Sequence, residues 1–309
     1  GEVMDMYSLT TETGALLVAG GLNPLYIEDV IENTILEDLD GGIDVTSVAT
    51  VPFEQRSTAT FGTRADGCVS GLVIAAAVIE MVCGPHASSI DYFHNDGERV
   101  HAGEVLMKVV APTQLLLTAE RTALNLLCHL SGIATATASW VDAVAGTGAI
   151  IRDTRKTTPG LRALEKYAVR CGGGQNHRMS LSDAALVKDN HIVAAGGVAE
   201  AFAKVRALAD SLPIEIEVDT LEQLRVVLDA GANVVLLDNM TPAVMKEAVA
   251  ISQRHTASTG HAVLLEASGG LTLGTARAVA ETGVHFISVG GLTHSSPILD
   301  VGLDLQTIV

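Results

Sequence analysis

Arg155 and Lys156 stand side by side in "DTRKTTPG", residues 153–160, in a chain whose formal net charge is −17. Eight of the chain's 19 Lys and Arg fall within 37 residues: Arg152, Arg155, Lys156, Arg162, Lys166, Arg170, Arg178 and Lys188. Cations gathered so locally in an acidic chain point to a bound anion. Arg and Lys at strand ends clamp carboxylates or phosphates through charge-assisted hydrogen bonds worth about 1.5–3 kcal/mol each. Taken singly, such a residue is as readily a solvated cap. Acids follow: Glu217 and Asp219 close the apolar run "IEIEVD", and Asp238 closes "VVLLDN". They could bind Mg²⁺ directly or through water, hold ribose hydroxyls, or pair with the neighbouring cations. Two later runs end in Ser268-Gly269-Gly270 and Gly290-Gly291. One glycine pair after a strand is usually a turn. Two pairs in succession suit backbone N–H groups closing on a phosphate.

The series grades from an anion clamp, through metal or sugar contacts, to a phosphate cradle. A phosphorylated sugar beside a carboxylated partner would match it, which suggests glycosyl or phosphoribosyl transfer. Spacing alone goes no further.

These residues need elements to position them. From 149 onward apolar runs alternate with helix-like segments: "AIIRDTRK", "AALVKDNH", "IEIEVD", "VVLLDN", "AVLLEASGG" and "HFISVGG". Strand, polar tip, helix, repeated about six times, is the pattern of a β/α barrel, whose active site lies at the strand C-termini. An open doubly wound sheet would place G-x-G-x-x-G after its first strand, and none follows residues 149–152. Upstream, residues 24–38 carry apolar side chains at helical spacing before a Gly-Gly stop. Residues 56–117 read as a small antiparallel or mixed sheet with helices on one side. Residues 114–145 read as two helices, interrupted by Ser131-Gly132.

Composition sets the outer bounds. Apolar residues make up 48% of the 309 residues but aromatics only 3%, so Ala, Val, Leu and Ile must build the core. No sustained basic stripe is present, which argues against a nucleic-acid partner. Cys68, Cys83, Cys128 and Cys171 are far apart and form no C-x-x-C pair, as expected of reduced thiols in a cytoplasmic protein. No apolar run reaches the roughly 18 residues that a membrane span needs. The opening "GEVMDMYSL" lacks the basic and apolar regions of a signal peptide.

Several motifs together carry a family resemblance. "DTRKTTPGLRALEKYAV", "GGGQNHRMSLSDAALVKDNH", "EIEVD", "LLDNM", "EASGG" and "ISVGGLTH", with "EDLDGGIDVTS" and "TAERTALNLLCHLSGIAT" upstream, resemble the quinolinate phosphoribosyltransferases. The resemblance covers roughly residues 25–308, and "TRKTTPG" followed by "GGGxNHR" is its most specific part. It implies transfer of ribose 5-phosphate from 5-phosphoribosyl 1-pyrophosphate (PRPP) to quinolinate, giving nicotinate mononucleotide, pyrophosphate and CO₂ with Mg²⁺. It implies an α/β sandwich domain over residues 1–132, with 293–309 packing on it. Residues 133–292 would form an incomplete seven-stranded β/α barrel, and the assembly would be a dimer or a multiple of dimers.

Carried over by position, the resemblance gives the quinolinate carboxylates to Arg155, His177, Arg178 and Lys188, with Thr154 also in the substrate site. Arg121 would reach the neighbouring subunit's site. Lys156 would face the PRPP phosphates and His294 the pyrophosphate. Glu217 and Asp238 would hold the ribose hydroxyls and Mg²⁺. Ser268, Gly269, Gly270, Gly290 and Gly291 would cradle the 5-phosphate. Catalysis would fall to Arg155, Lys156, Lys188, Glu217 and Asp238.

Rival readings are weaker on the same residues. A mono-acid such as nicotinate would leave a sequestered cation unpaired, at a cost of about 3–5 kcal/mol. A phosphate-sugar binding protein would need neither the Glu217/Asp238 pair nor a donated Arg121. A Schiff-base aldolase using Lys188 lacks an apolar pocket around "KDNH". Met107-Lys108 faintly resembles a biotinyl or lipoyl carrier, but the lysine falls within a strand run rather than at a hairpin tip.

Overall fold

The structure, a computed structural model, describes residues 5–86 and 88–308. The opening residues 1–4 of the sequence lie outside the described part. The chain begins with helices α1 (Thr11–Ala19), α2 (Pro24–Leu39) and α3 (Val45–Thr50). Strands β1 (Arg56–Thr63) and β2 (Gly67–Cys68), helix α4 (Leu72–Cys83), and strands β3 (Ser89–Tyr92), β4 (Arg99–Val100) and β5 (Val105–Pro112) follow. Helix α5 (Thr113–Ala143) leads to β6 (Ile150–Arg152), α6 (Arg162–Cys171) and β7 (Ala185–Val187). Next come α7 (Asp189–Ala195), α8 (Val198–Leu208), β8 (Ile214–Val218), α9 (Leu221–Asp229) and β9 (Val234–Asp238). The remainder is α10 (Pro242–Thr259), β10 (Leu264–Ser268), α11 (Ala276–Ala280), β11 (Phe286–Ser288), α12 (Gly291–His294) and β12 (Val301–Thr307).

The chain divides into two compact units. The first holds residues 1–136, 158–173 and 295–309; the second holds 137–157 and 174–294. In the first, β12, β1, β5 and β3 form a four-stranded sheet in that order, with both flanks of β1 antiparallel. Alternation along β1 sends Ser57, Ala59, Phe61 and Thr63 inward, as the pleat requires. Helix α2 starts where Asn23 caps the Leu25 N–H and Pro24 presets φ. Its residues Ile27, Ile31 and Ile35, spaced at i, i+4 and i+8, are fully buried. Helix α4 is buried nearly all round, which its run of alanine and aliphatic residues permits.

One sequence expectation changes here. Helix α5 is continuous over 31 residues rather than broken at Ser131-Gly132. Those residues serve packing, not a turn. The Ser131 hydroxyl donates to the Ser70 carbonyl and accepts the Ser70 N–H, both at 3.0 Å. A Cβ on Gly132 would clash with the Pro297 carbonyl and lie 2.8 Å from Ile298 Cα, so the glycine admits a second backbone to the helix surface. Helix α6 groups with the first unit. Its Tyr167 hydroxyl donates to Asp96, and its buried Glu165 is bonded to His129 and Thr158.

In the second unit six parallel strands run in the order β6-β11-β10-β9-β8-β7. Each strand from β7 to β10 pairs with its successor in the chain, and β11 pairs back with β6. That is the winding of a β/α barrel, left open between β6 and β7. The seventh strand is reduced to one parallel bridge, Arg152 with Gln175. In β9 the strand centre is apolar and buried, while its C-terminal end turns polar. Among the described residues no single helix is long and apolar enough to cross a membrane.

Candidate active site

The C-terminal ends of the barrel strands carry nearly all the residues singled out above. Register brings Ser268 directly beside Asp238 across β10 and β9. Gly269 and Gly270 follow at φ 82° and 67°, where side chains are disfavoured. Space is as restrictive as torsion: a Cβ on Gly269 would lie 2.8 Å from Asp238 Oδ1 and 3.2 Å from the Asn239 nitrogen. The Asn239 N–H in turn donates to the Ser268 carbonyl at 2.9 Å. The first glycine pair therefore lets the "ASGG" and "LDN" turns close on each other around Asp238.

On the neighbouring strand β8, Glu217 is in hydrogen-bonding contact with Asp238. Burial and then the charge of Asp238 raise its pKa, with Lys188 acting in the opposite sense. Two carboxylates so placed repel each other when both ionise, and a divalent cation would relieve that repulsion. Hard oxygen donors are what Mg²⁺ takes, so this pair fits the metal implied by the sequence.

The second glycine pair serves a cation. A Cβ on Gly290 would come 3.0 Å from Lys156 Cδ and 3.4 Å from His294 Nε2, so both side chains converge on this glycine. The Thr293 hydroxyl donates to the Lys156 carbonyl at 2.7 Å. Upstream, the Lys156 N–H donates to the Thr154 hydroxyl at 3.0 Å. Thr154 thus shapes the loop that presents Arg155 and Lys156. Gly291 faces open space and begins the short helix α12.

Arg178 lies near Arg155. Burial, and then the charge of Arg155, hold its guanidinium below the usual range. An anion bound beside them would relieve this repulsion. One Arg178 N–H bond, to the Ala184 carbonyl at 3.2 Å, steadies the side chain.

His177 occupies a different place from the one expected. Its Nε2–H donates to Glu215 Oε1 at 2.8 Å and to Glu266 Oε2 at 3.1 Å, and its Nδ1 accepts the Arg178 N–H at 2.8 Å. Both ring nitrogens are engaged inside the barrel rather than turned to a substrate carboxylate. Its own backbone N–H donates to Asp153 Oδ1 at 2.7 Å, and Asn176 donates to Asp153 Oδ2 at 2.6 Å. Burial disfavours a charged imidazole, yet the bonds to Glu215 and Glu266 outweigh it and push the pKa up to about 9. Burial likewise raises the Glu215 carboxyl above its ordinary value. This cluster also brings three potential metal-ligand atoms within 4.8 Å. There the imidazole proton already bridges the acids. The oxygen pair Glu217/Asp238 is the better cation site.

Glu215, Glu266 and Asp153 were not among the sequence candidates. A single signal pointed to two of them: each glutamate interrupts an otherwise apolar strand run. Arg121 is exposed on α5 in the first unit and lines a cavity of about 420 Å³ with Arg64, Glu120, Asn125 and Asp300.

Known proteins resemble this chain along most of its length. Family models described as quinolinate phosphoribosyl transferase match in two parts, the N-terminal domain over residues 44–131 and the C-terminal domain over 133–304. The carboxylating nicotinate-nucleotide pyrophosphorylase of Mycobacterium leprae is 50% identical over 277 residues, covering 90% of this chain and 96% of the relative. The probable carboxylating nicotinate-nucleotide pyrophosphorylase of Bacillus subtilis is 40% identical, covering 92% and 95%. A solved nicotinate-nucleotide pyrophosphorylase of Francisella tularensis superposes with a TM-score of 0.84 at 36% identity, covering 91% and 96%. The resemblance carried by "TRKTTPG" and "GGGxNHR" is thereby borne out. On this identity and coverage, joined to the two-unit fold and the ring of charged strand tips, the chain belongs to the quinolinate phosphoribosyl transferase family.

Proposed function

We propose that this chain transfers the ribose 5-phosphate of PRPP to the ring nitrogen of quinolinate, releasing pyrophosphate and CO₂ and leaving nicotinate mononucleotide. The observation that carries the reading is the pairing, within one barrel, of the Arg155/Arg178 guanidiniums with the Lys156, Gly290 and His294 cup. The first suits a dicarboxylate and the second a phosphate-bearing sugar.

Arg155, Arg178 and Lys188 bind the two carboxylates and hold the pyridine nitrogen in line with the anomeric carbon. Lys156 and His294 neutralise the departing pyrophosphate, where charge grows as the C–O bond breaks. Glu217 and Asp238 hold the ribose hydroxyls and Mg²⁺. Bound there, Mg²⁺ would supply positive charge for the pyrophosphate oxygens. Ser268, Gly269, Gly270, Gly290 and Gly291 enclose the 5-phosphate. Once the ring nitrogen is alkylated it is cationic, so the electron pair that CO₂ departure leaves on the adjacent ring carbon is stabilised by that neighbouring positive charge until the carbon takes a proton from solvent. No protein base is required for that step.

The chain acts as a dimer in which Arg121 completes the partner's diacid clamp. Among the described residues no disulfide joins Cys68, Cys83, Cys128 and Cys171, which supports a cytoplasmic setting.

The test is an assay with Mg²⁺ and PRPP against quinolinate, nicotinate and anthranilate, following pyrophosphate and CO₂ separately. The two products should appear in equal amounts with quinolinate alone. Pyrophosphate release with nicotinate and without CO₂ would replace this reading with a mono-acid transferase.

A further inference from the structure

Two buried acids lie one layer beneath the strand tips. Successive residues of a strand alternate in face, so i and i+2 share one. Glu215 thus lies under Glu217 on β8, and Glu266 under Ser268 on β10. Glu266 is fully buried and Glu215 nearly so. An acid buried in a barrel is costly unless it is paired, and an aliphatic side chain would fill the same volume with less penalty. These two are paired, and with one object: both accept from His177 Nε2, at 2.8 and 3.1 Å. Behind Glu266 lies Arg152, 3.8 Å away, its guanidinium stacked 3.5 Å above the Phe286 ring.

The imidazole they hold is a relay of position. Its other nitrogen accepts the Arg178 backbone N–H, while its own amide is fixed by Asp153. Arg178 therefore leaves a stretch of backbone gripped on two sides from the barrel interior. Residues 174–177 belong to no named helix or strand, and Gln175 ties them to β6: its N–H donates to the Ile151 carbonyl at 2.8 Å and its carbonyl accepts the Asp153 N–H at 3.2 Å. His177 and its acids hold the backbone two residues further on, next to Arg178.

We propose that Glu215 and Glu266 are positioning residues for diacid recognition: by hydrogen-bonding His177 they fix the backbone from which Arg178 reaches the substrate carboxylates. The inference rests on the substrate reading above and adds to it the parts that make the clamp rigid. A misplacement of about 1 Å at a positioned group can cost roughly a hundredfold in rate. The pair should therefore be visible in quinolinate binding although neither acid touches the substrate.

The experiment compares Glu215→Met, which fills the space without an acceptor, with Glu215→Gln, which keeps one; Glu266→Met serves as the parallel to the first. Quinolinate affinity is measured by calorimetry, and KM for quinolinate and PRPP in steady state. Glu215→Met should raise the quinolinate Kd and KM by about tenfold or more and leave the PRPP KM within about twofold. Glu215→Gln should restore quinolinate affinity to within about threefold of the wild type, since the His177 N–H keeps an acceptor. Unchanged quinolinate affinity in Glu215→Met, or equal loss for both substrates, would overturn the proposal. So would a Glu215→Gln chain as impaired as a folded Met variant, and that arm remains decisive if both Met variants fail to fold. A tenfold loss in the folded Gln chain would then mean that charge, not placement, is what the site uses. If the wild-type chain itself neither binds nor converts quinolinate, the substrate reading falls and takes this inference with it.

Discussion

Lys156 shows how much of a site can depend on a side chain that never meets the substrate. Its carbonyl is held by the buried Thr293 hydroxyl at 2.7 Å, and its stem lies against Gly290. Thr293→Val keeps the shape and removes the donor, a loss of about 0.5–1.5 kcal/mol. The loop that aims Lys156 should then slacken, and the PRPP KM should rise by roughly tenfold while the quinolinate KM stays near its wild-type value. Thr293→Ser, which restores the hydroxyl, should return the PRPP KM. Steady-state titration of each substrate at saturating levels of the other checks this, and parallel rises in both KM values would count against it. Residue types in the sequence made Lys156 and Gly290 legible as phosphate-site candidates. What they did not disclose is that Gly290 admits Lys156 and His294, and that Gly269 admits Asp238. A glycine pair reads the same whether its missing Cβ makes room for a ligand or for a neighbouring side chain.

Among the elements, the barrel strands were legible because each is a short apolar run ending in polar residues. The period gave the face and the tip, so the residues at 217, 238 and 268 could be named in advance. The buried layer could not. Glu215 and Glu266 obey the same alternation as the tips above them, and nothing in a single strand says which imidazole it will meet. The misread interruption in α5 has a similar origin. Ser-Gly usually marks a break, but here a second chain segment crosses the helix at that point, and only tertiary packing distinguishes the two cases. Gly132→Ala tests this. Its added methyl would meet backbone atoms of Pro297 and Ile298, which cannot rotate away as a side chain could. Destabilisation of about 2–3 kcal/mol is expected from such overpacking, read as an earlier thermal transition. Since alanine is the better helix former, a chain that gains stability would show that no second backbone crowds the helix at this point.

At the scale of the whole molecule, the diacid clamp raises a question of number. Two carboxylates call for several cations, yet the second unit offers Arg155, Arg178 and Lys188, with His177 turned inward. Arg121 belongs to the first unit, exposed on α5. In a twofold dimer any contact made by one subunit is repeated by the other, so an arginine lent across the interface is lent twice. Arg121→Ala and Lys188→Ala chains should each be inactive alone. Mixed in equal amounts and allowed to exchange, half of the dimers carry one subunit of each kind. In these, the barrel bearing Arg121→Ala retains its own Lys188 and receives an intact arginine from its partner. The reciprocal site lacks both groups. Activity should therefore recover to about a quarter of the wild-type value. Labelled subunits would verify exchange in the same tube. An exchanged mixture that stays inactive would place the fourth cation of the clamp within a single chain.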